Sequence, residues 1–474
     1  MDDPAEPQAA GAAQAGAAAR KADAGALHRA AVEAHRAGRL QEAIAGYRRV
    51  IALSPELASA YNNMGAALYM SGQFAAAAAW YRQAIQLGDE DARGNLGEAY
   101  RKLGRLAEAE TLQREALARN PGNELSRFAL AQTLRDAGWL EDALATYDEI
   151  LNAAPGNVKA AWNRALVLLQ LGRYGEGFKA YEARFERPES PARRLDAPRW
   201  DGGALDGRTI LVHDEQGYGD AIQFARFVPL VAARGGRVVL QCAAPLVRLM
   251  RSLEGVAEVI AQDDAAPPHE AEAPLLSLPA ILGITDGTLP SPGHYLAPPA
   301  DLIEHFAPLT ARRGGLLKIG IAWAGRPDQR DDHKRSIGLA NFVDLIGLPG
   351  IALFGLQVGP RAADVEKLGL GGLIADLSPR LDDFAATAAA IEALDLVISI
   401  DSAVAHLAGA LAKPVWLALS FTGDWRYLSK CSDSPWYPSM RIFRQPRFGD
   451  WDGVFRDIAS ALELRDGLAP RSDP

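Results

Sequence analysis

The hydrophobic and polar positions of this chain follow two different patterns. Between residues 23 and 187, apolar residues recur at helical spacing, and a glycine interrupts them every 32 to 34 residues. An alanine stands five residues after each of the first four glycines, where a small side chain lets two antiparallel helices touch. The pattern predicts about five helical hairpins stacked into a solenoid. The glycines that set this period are Gly38, Gly72, Gly104, Gly138 and Gly172.

A hairpin of this length and turn resembles the tetratricopeptide repeat, whose concave face holds another protein chain. In that repeat family, the sixth position of the repeat, counted so that the turn glycine is position 15, lies on the first helix and faces the groove. Asparagine occupies it in three repeats, as Asn63, Asn95 and Asn163. An amide side chain offers a donor and an acceptor together, so we expect this row to bind the backbone of an extended protein acceptor. The alternative is that the three asparagines are ordinary solvated surface residues.

The fifth repeat departs from the other four. Gly177 replaces the expected alanine, and Tyr181 and Arg184 follow it on the same helical stretch. We expect this tyrosine and arginine to dock onto the next domain. Residues 188–203 are rich in proline and arginine, which predicts a linker or an ordered strap.

Beyond the linker, short apolar runs alternate with helical patterns. This alternation predicts two doubly wound parallel sheets with a cleft between them, in domains 204–310 and 311–470 that join near residues 298–315. The predicted fold is therefore multidomain, an all-α solenoid followed by an α/β region. Ligands in such sheets bind beyond the carboxyl ends of the strands. The predicted strands cover residues 209–213, 237–241, 256–260, 317–323, 351–356, 396–400 and 414–419.

Composition narrows the class of protein. The 474 residues carry a net charge of −9, which disfavours a nucleic-acid binder. No apolar run approaches the length of a membrane span, and the Ala-rich residues 1–22 resemble a disordered tail rather than a secretion signal. The two cysteines, Cys242 and Cys431, lie far apart in the sequence and predict no disulfide, which fits a reducing cytoplasm. No spacing of residues indicates a metal site or a nicotinamide, flavin or P-loop nucleotide motif.

Three turns after predicted strands carry candidate chemistry. In the first turn, residues 213–220, Gly217 and Gly219 let the backbone approach a ligand. A helix is expected to begin at Asp220. This aspartate is a candidate for the chemistry of the site, and the alternative is that it only caps the helix. In the second, the tight turn at Gly325 leads into a cation-rich loop that suits a polyphosphate, or is merely solvated. In the third, Asp401 begins a helix whose first N–H groups, at Ser402 and Ala403, form an anion site. One turn further, His406 either faces the cleft or is a buried structural histidine.

These turns resemble those of bacterial tetratricopeptide proteins whose C-terminal domain is similar to the heptosyltransferases of glycosyltransferase family 9. The likeness extends from about residue 24 to the last helix. The matching segments are residues 215–220, 275–279, 334–336, 395–411 and 434–441. The resemblance implies a GT-B fold, a nucleotide sugar bound mainly by the second α/β domain, and no catalytic metal or other cofactor. Some members of this group glycosylate flagellin.

The resemblance also implies roles for individual residues. Asp220 matches an aspartate near the acceptor, whereas Asp401, Ser402 and His406 match a D-x-G-x-x-H turn that binds donor phosphates, with Ala403 in place of the glycine. The implied catalytic residues are Asp220 as general base and His406, and the acceptor-side loop comprises Glu215, Gln216, Gly217 and Gly219. The implied donor-binding residues are Trp323, Gly325, Lys334, Arg335, Ser336, Gln357, Asp401, Ser402, Ala403 and His406.

Together, the sequence predicts a protein glycosyltransferase that transfers a sugar to serine or threonine, with the acceptor held by the repeats. Two alternatives remain open: a non-catalytic adaptor with a degenerate transferase region, and a transferase acting on a glycan or lipopolysaccharide.

Overall fold

The computed structural model describes residues 22–188, 193, 196–311, 315–326, 332–429 and 431–464, except for the side chains of residues 333 and 334. These residues divide into two compact units, one ending at Arg164 and the other beginning at Ala165. The dividing line falls within a single helix, Val158–Gln170. Nearly all of the predicted tail, residues 1–21, lies outside the described part of the chain.

Helical hairpins occupy the chain up to Tyr181, as the glycine period predicts. The first helix of each hairpin covers 22–36, Ala58–Met70, Ala92–Lys102, Glu124–Asp136 and Val158–Gln170. The second helix of each covers Leu40–Leu53, Phe74–Gln86, Leu106–Arg119, Leu140–Ala153 and Tyr174–Tyr181. All five turn glycines have φ between +74° and +78°, where a residue with a Cβ is strained. Glycine therefore recurs at this period because each turn needs a backbone conformation that glycine adopts without strain.

Small residues bring the paired helices together. The alanines five residues after the first four turn glycines, Ala43, Ala77, Ala109 and Ala143, are completely buried. At the corresponding place in the fifth hairpin, a Cβ on Gly177 would lie 2.8 Å from Cδ2 of Leu169. The substitution of glycine for alanine thus permits a closer approach of the last two helices.

The unit beginning at Ala165 contains two parallel sheets. The first comprises β1 (Thr209–His213), β2 (Arg237–Cys242), β3 (Val256–Ala261) and β4 (Ala271–Pro274), in the spatial order β3-β2-β1-β4. Its helices are Tyr218–Phe224, Val228–Ala232, Val247–Met250 and Leu278–Ile281. β1 begins and ends where the sequence predicts, whereas β4 was not predicted.

The second sheet has six strands in the order β10-β9-β8-β5-β6-β7, all parallel. Counted from β5, this is the doubly wound order 3-2-1-4-5-6. Its strands are β5 (Leu317–Ala322), β6 (Ile351–Gly355), β7 (Ile374–Asp376), β8 (Leu396–Ile400), β9 (Val415–Leu419) and β10 (Met440–Arg444). The helices of this region are Ala300–Ala311, Asp332–Arg335, Val343–Ile346, Asp364–Lys367, Phe384–Glu392, Ala403–Ala410 and Trp451–Glu463. The predicted α/β character of this half is confirmed.

Part of the predicted linker is an ordered strap along the first sheet. The N–H of Trp200 donates to the carbonyl of Glu272 in β4 at 2.8 Å, and the N–H of Glu272 donates to the carbonyl of Pro198 at 3.0 Å. The side chain of Glu272 also accepts from the N–H groups of Asp196 and Ala197. The strap therefore continues the sheet at its β4 edge. Residues 189–192, 194 and 195 lie outside the described residues.

Candidate functional site

The candidate site lies where the strand order of each sheet reverses. In the first sheet this switch point lies between β1 and β4, and in the second it lies between β5 and β8. The helices that follow β1 and β8, Tyr218–Phe224 and Ala403–Ala410, pack against each other. The structure therefore brings together two of the three turns that the sequence singles out.

Gly219 makes this contact possible. A Cβ at this position would lie 2.8 Å from Cδ2 of His406 and 3.6 Å from Cα of Ala403. Because those atoms belong to a buried ring and to a helix backbone, a side chain at residue 219 would push the two turns apart. Ala403, which stands where the related motif has glycine, thus contacts the acceptor-side turn.

Asp220 is both a helix cap and one half of an ion pair. The helix begins at Tyr218 with Gly217 as N-cap, two residues earlier than predicted, because Asp220 reaches back to cap the first turn. Its Oδ2 accepts from the N–H of Gly217 at 3.0 Å, and its Oδ1 accepts from the Arg426 guanidinium. Each oxygen keeps a second lone pair that could accept another proton donor.

Arg426 is a residue that sequence reasoning missed. It is 7% exposed and donates to Asp424 at 2.8 Å and to Oε1 of Gln223 at 2.5 Å, besides Asp220. Burial lowers its pKa, but Asp424 and Asp220 outweigh that effect and hold the pKa well above its usual value. A permanent positive charge therefore lies beside the candidate general base.

Asp401 and His406 share a tyrosine. The hydroxyl of Tyr427 donates to Oδ1 of Asp401 at 2.8 Å and lies 3.5 Å from Nε2 of His406, whose Nδ1 is 3.1 Å from the hydroxyl of Tyr437. Burial, and then the charge of Arg426, hold the pKa of His406 well below its usual value. His406 is thus a neutral, buried imidazole, which is the alternative that the sequence left open.

The start of the helix after β8 retains its polar groups. Ser402 is the N-cap, yet its side chain makes no capping bond and instead meets Oγ of Ser399 at 2.9 Å. The first N–H groups of a helix have no partner within the helix and favour an anion. The expected anion-binding character of Ser402 and Ala403 is therefore compatible with the geometry.

The second turn is shaped by two residues that the sequence assigns to donor binding. The side chain of Trp323 is completely buried and donates from Nε1 to Asp364 at 3.2 Å. Oε1 of Gln357 accepts from the N–H groups of Trp323 and Ala324 at 3.0 and 2.8 Å, and its Nε2 donates to two carbonyls. The side chains of both residues thus form hydrogen bonds that fix the shape of the turn, and their role in donor binding remains a prediction.

The remaining residues of this turn lie closer to the surface. Oγ of Ser336 accepts from the N–H of Gly325 at 2.8 Å, and a Cβ on Gly325 would lie 2.9 Å from Nη2 of Arg335. The charge of Arg335 partly offsets the rise in the pKa of Asp401 and adds to the lowering of the pKa of His406, so this arginine lies near the third turn. The side chain of Lys334 lies outside the described residues.

The acceptor-side loop is bound to the end of the last hairpin. Arg184, which is 1% exposed, donates to Glu215 at 2.7 Å and to Oγ of Ser277 at 2.6 Å. The hydroxyl of Tyr181 lies 3.4 Å from Oε1 of Gln216. The expectation that Tyr181 and Arg184 dock onto the following domain is confirmed. Glu215 and Gln216 accordingly serve this junction.

The three groove asparagines form bonds between neighbouring hairpins. Nδ2 of Asn63 lies 3.0 Å from Nε2 of His28, and Nδ2 of Asn95 donates to Asn62 at 2.9 Å. Asn163 accepts from Arg135 at 2.8 Å. Each amide has hydrogen-bonding capacity beyond these contacts. Their proposed role in binding a guest backbone remains a prediction.

No three His, Cys, Asp or Glu side chains among the described residues gather closely enough to hold a metal ion. No helix within the described ranges has the length and apolar character needed to cross a membrane.

Replacing Gly219 with alanine is expected to destabilise the protein by about 1–3 kcal/mol, the usual cost of overpacking a filled core. The new methyl group would be forced against His406. Gly287→Ala is the matched control, because a Cβ there meets no atom within 4 Å. Urea unfolding of both variants measures the difference, and equal stabilities would show that the two turns do not hold each other in contact.

Stability should depend on pH through Asp401. Burial, and then the neighbouring Asp424 carboxylate, raise the pKa of Asp401 to about 6. The folded protein therefore holds a proton that the unfolded chain releases, and the stability this residue contributes is lost as pH rises through 6. Relative to Asp401→Asn, the wild type should lose about 1–2 kcal/mol between pH 5 and pH 7.5. Parallel pH profiles of unfolding free energy for the two proteins would contradict this.

Comparison with known proteins identifies the repeats. Residues 34–72 match a family described as TPR repeat, and residues 57–88, 91–120 and 128–191 match families described as tetratricopeptide repeat. The chain therefore contains tetratricopeptide repeats, which precede an α/β region.

One bacterial relative covers nearly the whole chain. Protein FlbA of Caulobacter vibrioides is 27% identical over 508 aligned residues, which cover 92% of this chain and 84% of FlbA. The BBSome complex member BBS4 of Bos taurus is 27% identical over 144 residues, or 30% of this chain and 28% of BBS4.

Among solved structures, YrrB and MamA are similar to part of this chain. YrrB, described as a TPR protein with an unusual peptide-binding site, has a TM-score of 0.29 at 20% identity and covers 34% of this chain and 84% of its own. MamA has a TM-score of 0.31 at 18% identity, covering 35% and 92% respectively.

Proposed function

We propose that this chain is a glycosyltransferase of the GT-B type that transfers a sugar from a nucleotide-sugar donor to a serine or threonine of a protein. The observation that carries the proposal is the contact between the turns after β1 and β8, which brings Asp220 near a helix start suited to an anion. Sites of doubly wound sheets lie at such switch points. The sequence resemblance to heptosyltransferase-like proteins supports the same assignment.

The reaction assigns a separate task to each turn. The acceptor oxygen forms a bond to the anomeric carbon of the sugar, the bond from that carbon to the phosphate oxygen breaks, and the phosphate keeps the electron pair. Asp220 takes the hydroxyl proton through a free lone pair. The N–H groups of Ser402 and Ala403, with Arg335 and Lys334, stabilise the charge on the leaving phosphate. His406, neutral and buried, contributes by fixing the helix that carries those N–H groups.

A non-catalytic adaptor is the competing function. The occupied oxygens of Asp220 favour it, since Arg426 and Gly217 already bind them.

Intact-mass measurement of candidate acceptor proteins, from cells with and without this chain, separates the possibilities. Flagellin is the first acceptor to test, because the sequence resembles proteins that glycosylate it. A mass increase equal to one sugar residue supports the transferase, whereas capture of an unmodified acceptor supports the adaptor. Modification of a glycan alone would indicate a glycan or lipopolysaccharide transferase.

The repeats are proposed to hold the protein acceptor through the asparagine row. Replacing Asn63, Asn95 and Asn163 together by alanine should weaken acceptor affinity about 10- to 1,000-fold, from about 0.5–1.5 kcal/mol for each neutral hydrogen bond. Calorimetry with the purified acceptor measures the change.

The triple variant also removes bonds between hairpins, so its stability must be measured alongside its affinity. Asn152→Ala, an exposed asparagine on the second helix of the fourth hairpin, is the matched control. Unchanged acceptor affinity in a folded triple variant would show that the recognition surface lies elsewhere.

A further inference from the structure

Residues Trp425–Tyr427 form one 3₁₀ turn whose side chains reach both candidate turns. Arg426 donates to Asp220 on the acceptor side, while the adjacent Tyr427 donates to Asp401 on the donor side. We propose that Arg426 and Tyr427 are positioning residues that fix the turn after β1 and the turn after β8 relative to each other. The catalytic consequence rests on the proposed function, but the coupling between the turns does not.

Arg426 bonds three side chains through one planar group. Its guanidinium donates to Asp220 and Gln223, both on the helix after β1, and to Asp424 beside it. Its charged end lies 4.4 Å from the centre of the Trp425 ring. Three donors fixed in one plane define the direction of the Asp220 carboxylate, which a flexible ammonium would not do.

Tyr427 performs the corresponding task on the donor side. It is 1% exposed, and its ring is stacked on that of His406 with an interplanar angle of 20°. Its hydroxyl has Asp401 as acceptor at 2.8 Å. This bond orients Asp401 just before the helix Ala403–Ala410.

The backbone of this segment is itself held under strain. Leu428 has φ of +49°, a conformation uncommon for a residue with a Cβ. The guanidinium of Arg444 in β10 donates to the carbonyls of Tyr427 and Leu428 at 3.1 and 2.7 Å. Such strain persists only where the surrounding structure over-determines it, and it concentrates at functional sites. The second sheet thus fixes the segment that orients Asp220.

The kinetic test compares Arg426→Gln, Arg426→Lys and the double variant with Asp220→Asn. Arg426→Gln should lower turnover at saturating substrate about 100-fold, the scale expected when a catalytic group is misplaced by about 1 Å. Because Arg426 acts through Asp220, the double variant should be no slower than Asp220→Asn alone. Partial recovery by Arg426→Lys is expected, since a positive charge returns without the planar geometry.

Arg237→Gln is the matched control. Arg237 is the first residue of β2 and donates to Glu258 of β3 at 2.8 Å, so this ion pair lies in the same unit but at the amino end of a strand, whereas both turns follow the carboxyl ends. Turnover of this variant should stay within a few-fold of wild type. Independent, additive effects of Arg426→Gln and Asp220→Asn would overturn the proposal, as would a loss confined to the KM of the donor, which would make Arg426 a ligand-binding residue.

A second readout needs no activity. The charge of Arg426 contributes to the lowered pKa of His406, so Arg426→Gln should raise that pKa in a histidine NMR titration of the ligand-free protein. Tyr427→Phe should shift the His406 ring resonances, and Arg237→Gln should leave them in place. Unchanged His406 signals in the first two variants would refute the coupling. A wild-type protein inactive toward every acceptor would instead defeat the proposed function, while this titration still decides the coupling.

Discussion

Asp220→Asn is expected to lower the rate of sugar transfer about 10²–10⁴-fold, the usual cost of losing a general base. Asparagine has nearly the same shape but cannot take the hydroxyl proton. Binding of the nucleotide should persist, because the proposed anion site lies at Ser402 and Ala403. Single-turnover kinetics with a defined protein acceptor, together with calorimetry of the nucleotide, measure the two effects separately.

The control for this variant must account for the structural role of Asp220. An asparagine has one acceptor oxygen, so it cannot serve both Gly217 and Arg426 as the carboxylate does. Asp450→Asn is the matched control, because Asp450 also serves two donors. Its Oδ1 accepts from the N–H of Gly453 at 2.9 Å, which caps the helix Trp451–Glu463, and its Oδ2 accepts from Arg447 at 3.1 Å. This variant should leave transfer unchanged. Near wild-type transfer by Asp220→Asn itself would reduce Asp220 to a cap and an ion-pair partner.

The parts of the fold that the sequence predicts are those governed by local rules. The hairpin period follows from turn glycines that adopt positive φ, and strands such as β8 appear as unbroken apolar runs because both faces of the sheet are covered. β4 escapes this rule, since Ala271–Pro274 contains a buried glutamate in place of an apolar run. Oε1 of that glutamate accepts from the N–H groups of Asp196 and Ala197 in the strap, which lie more than 70 residues away in the chain.

The residues of the candidate site also separate into those marked by the local sequence and those that depend on distant partners. Asp220, Ser402 and His406 could be found because each follows a recognisable strand and its turn. Arg426 could not, because its partner Asp220 lies 206 residues away and nothing in the local pattern marks it. Trp323 is a different case: the resemblance implies a donor contact, and the structure buries its side chain in the core of the second sheet, so its role in donor binding stays a prediction.

The junction at the last hairpin has a consequence for truncation. The sequence places a domain boundary after residue 187, yet Tyr174, Phe178 and Tyr181 are buried against the α/β region. Phe178 meets the rings of Phe224, Trp425 and Trp436 at 6.3 Å between centroids. These aromatic side chains belong to the core of that region.

A chain beginning at Pro198 is therefore expected not to fold. It would lose three buried aromatic side chains, each contributing about 1.5–3 kcal/mol. It would also lose the hydrogen bonds that Arg184 donates to Glu215 and Ser277. These losses are comparable with the total stability of a typical domain, about 5–15 kcal/mol.

The matched comparison is a chain beginning at Val158, which keeps the whole of helix Val158–Gln170 and all of the junction. This longer chain should give a cooperative thermal transition, because every contact of Tyr174, Phe178 and Arg184 described above is retained. The shorter chain should instead aggregate or show no transition, since Trp436 and Phe224 would face water. A stable, cooperatively folding protein that starts at Pro198 would mean that the last hairpin only covers the α/β region, and that the aromatic contacts contribute little to its stability.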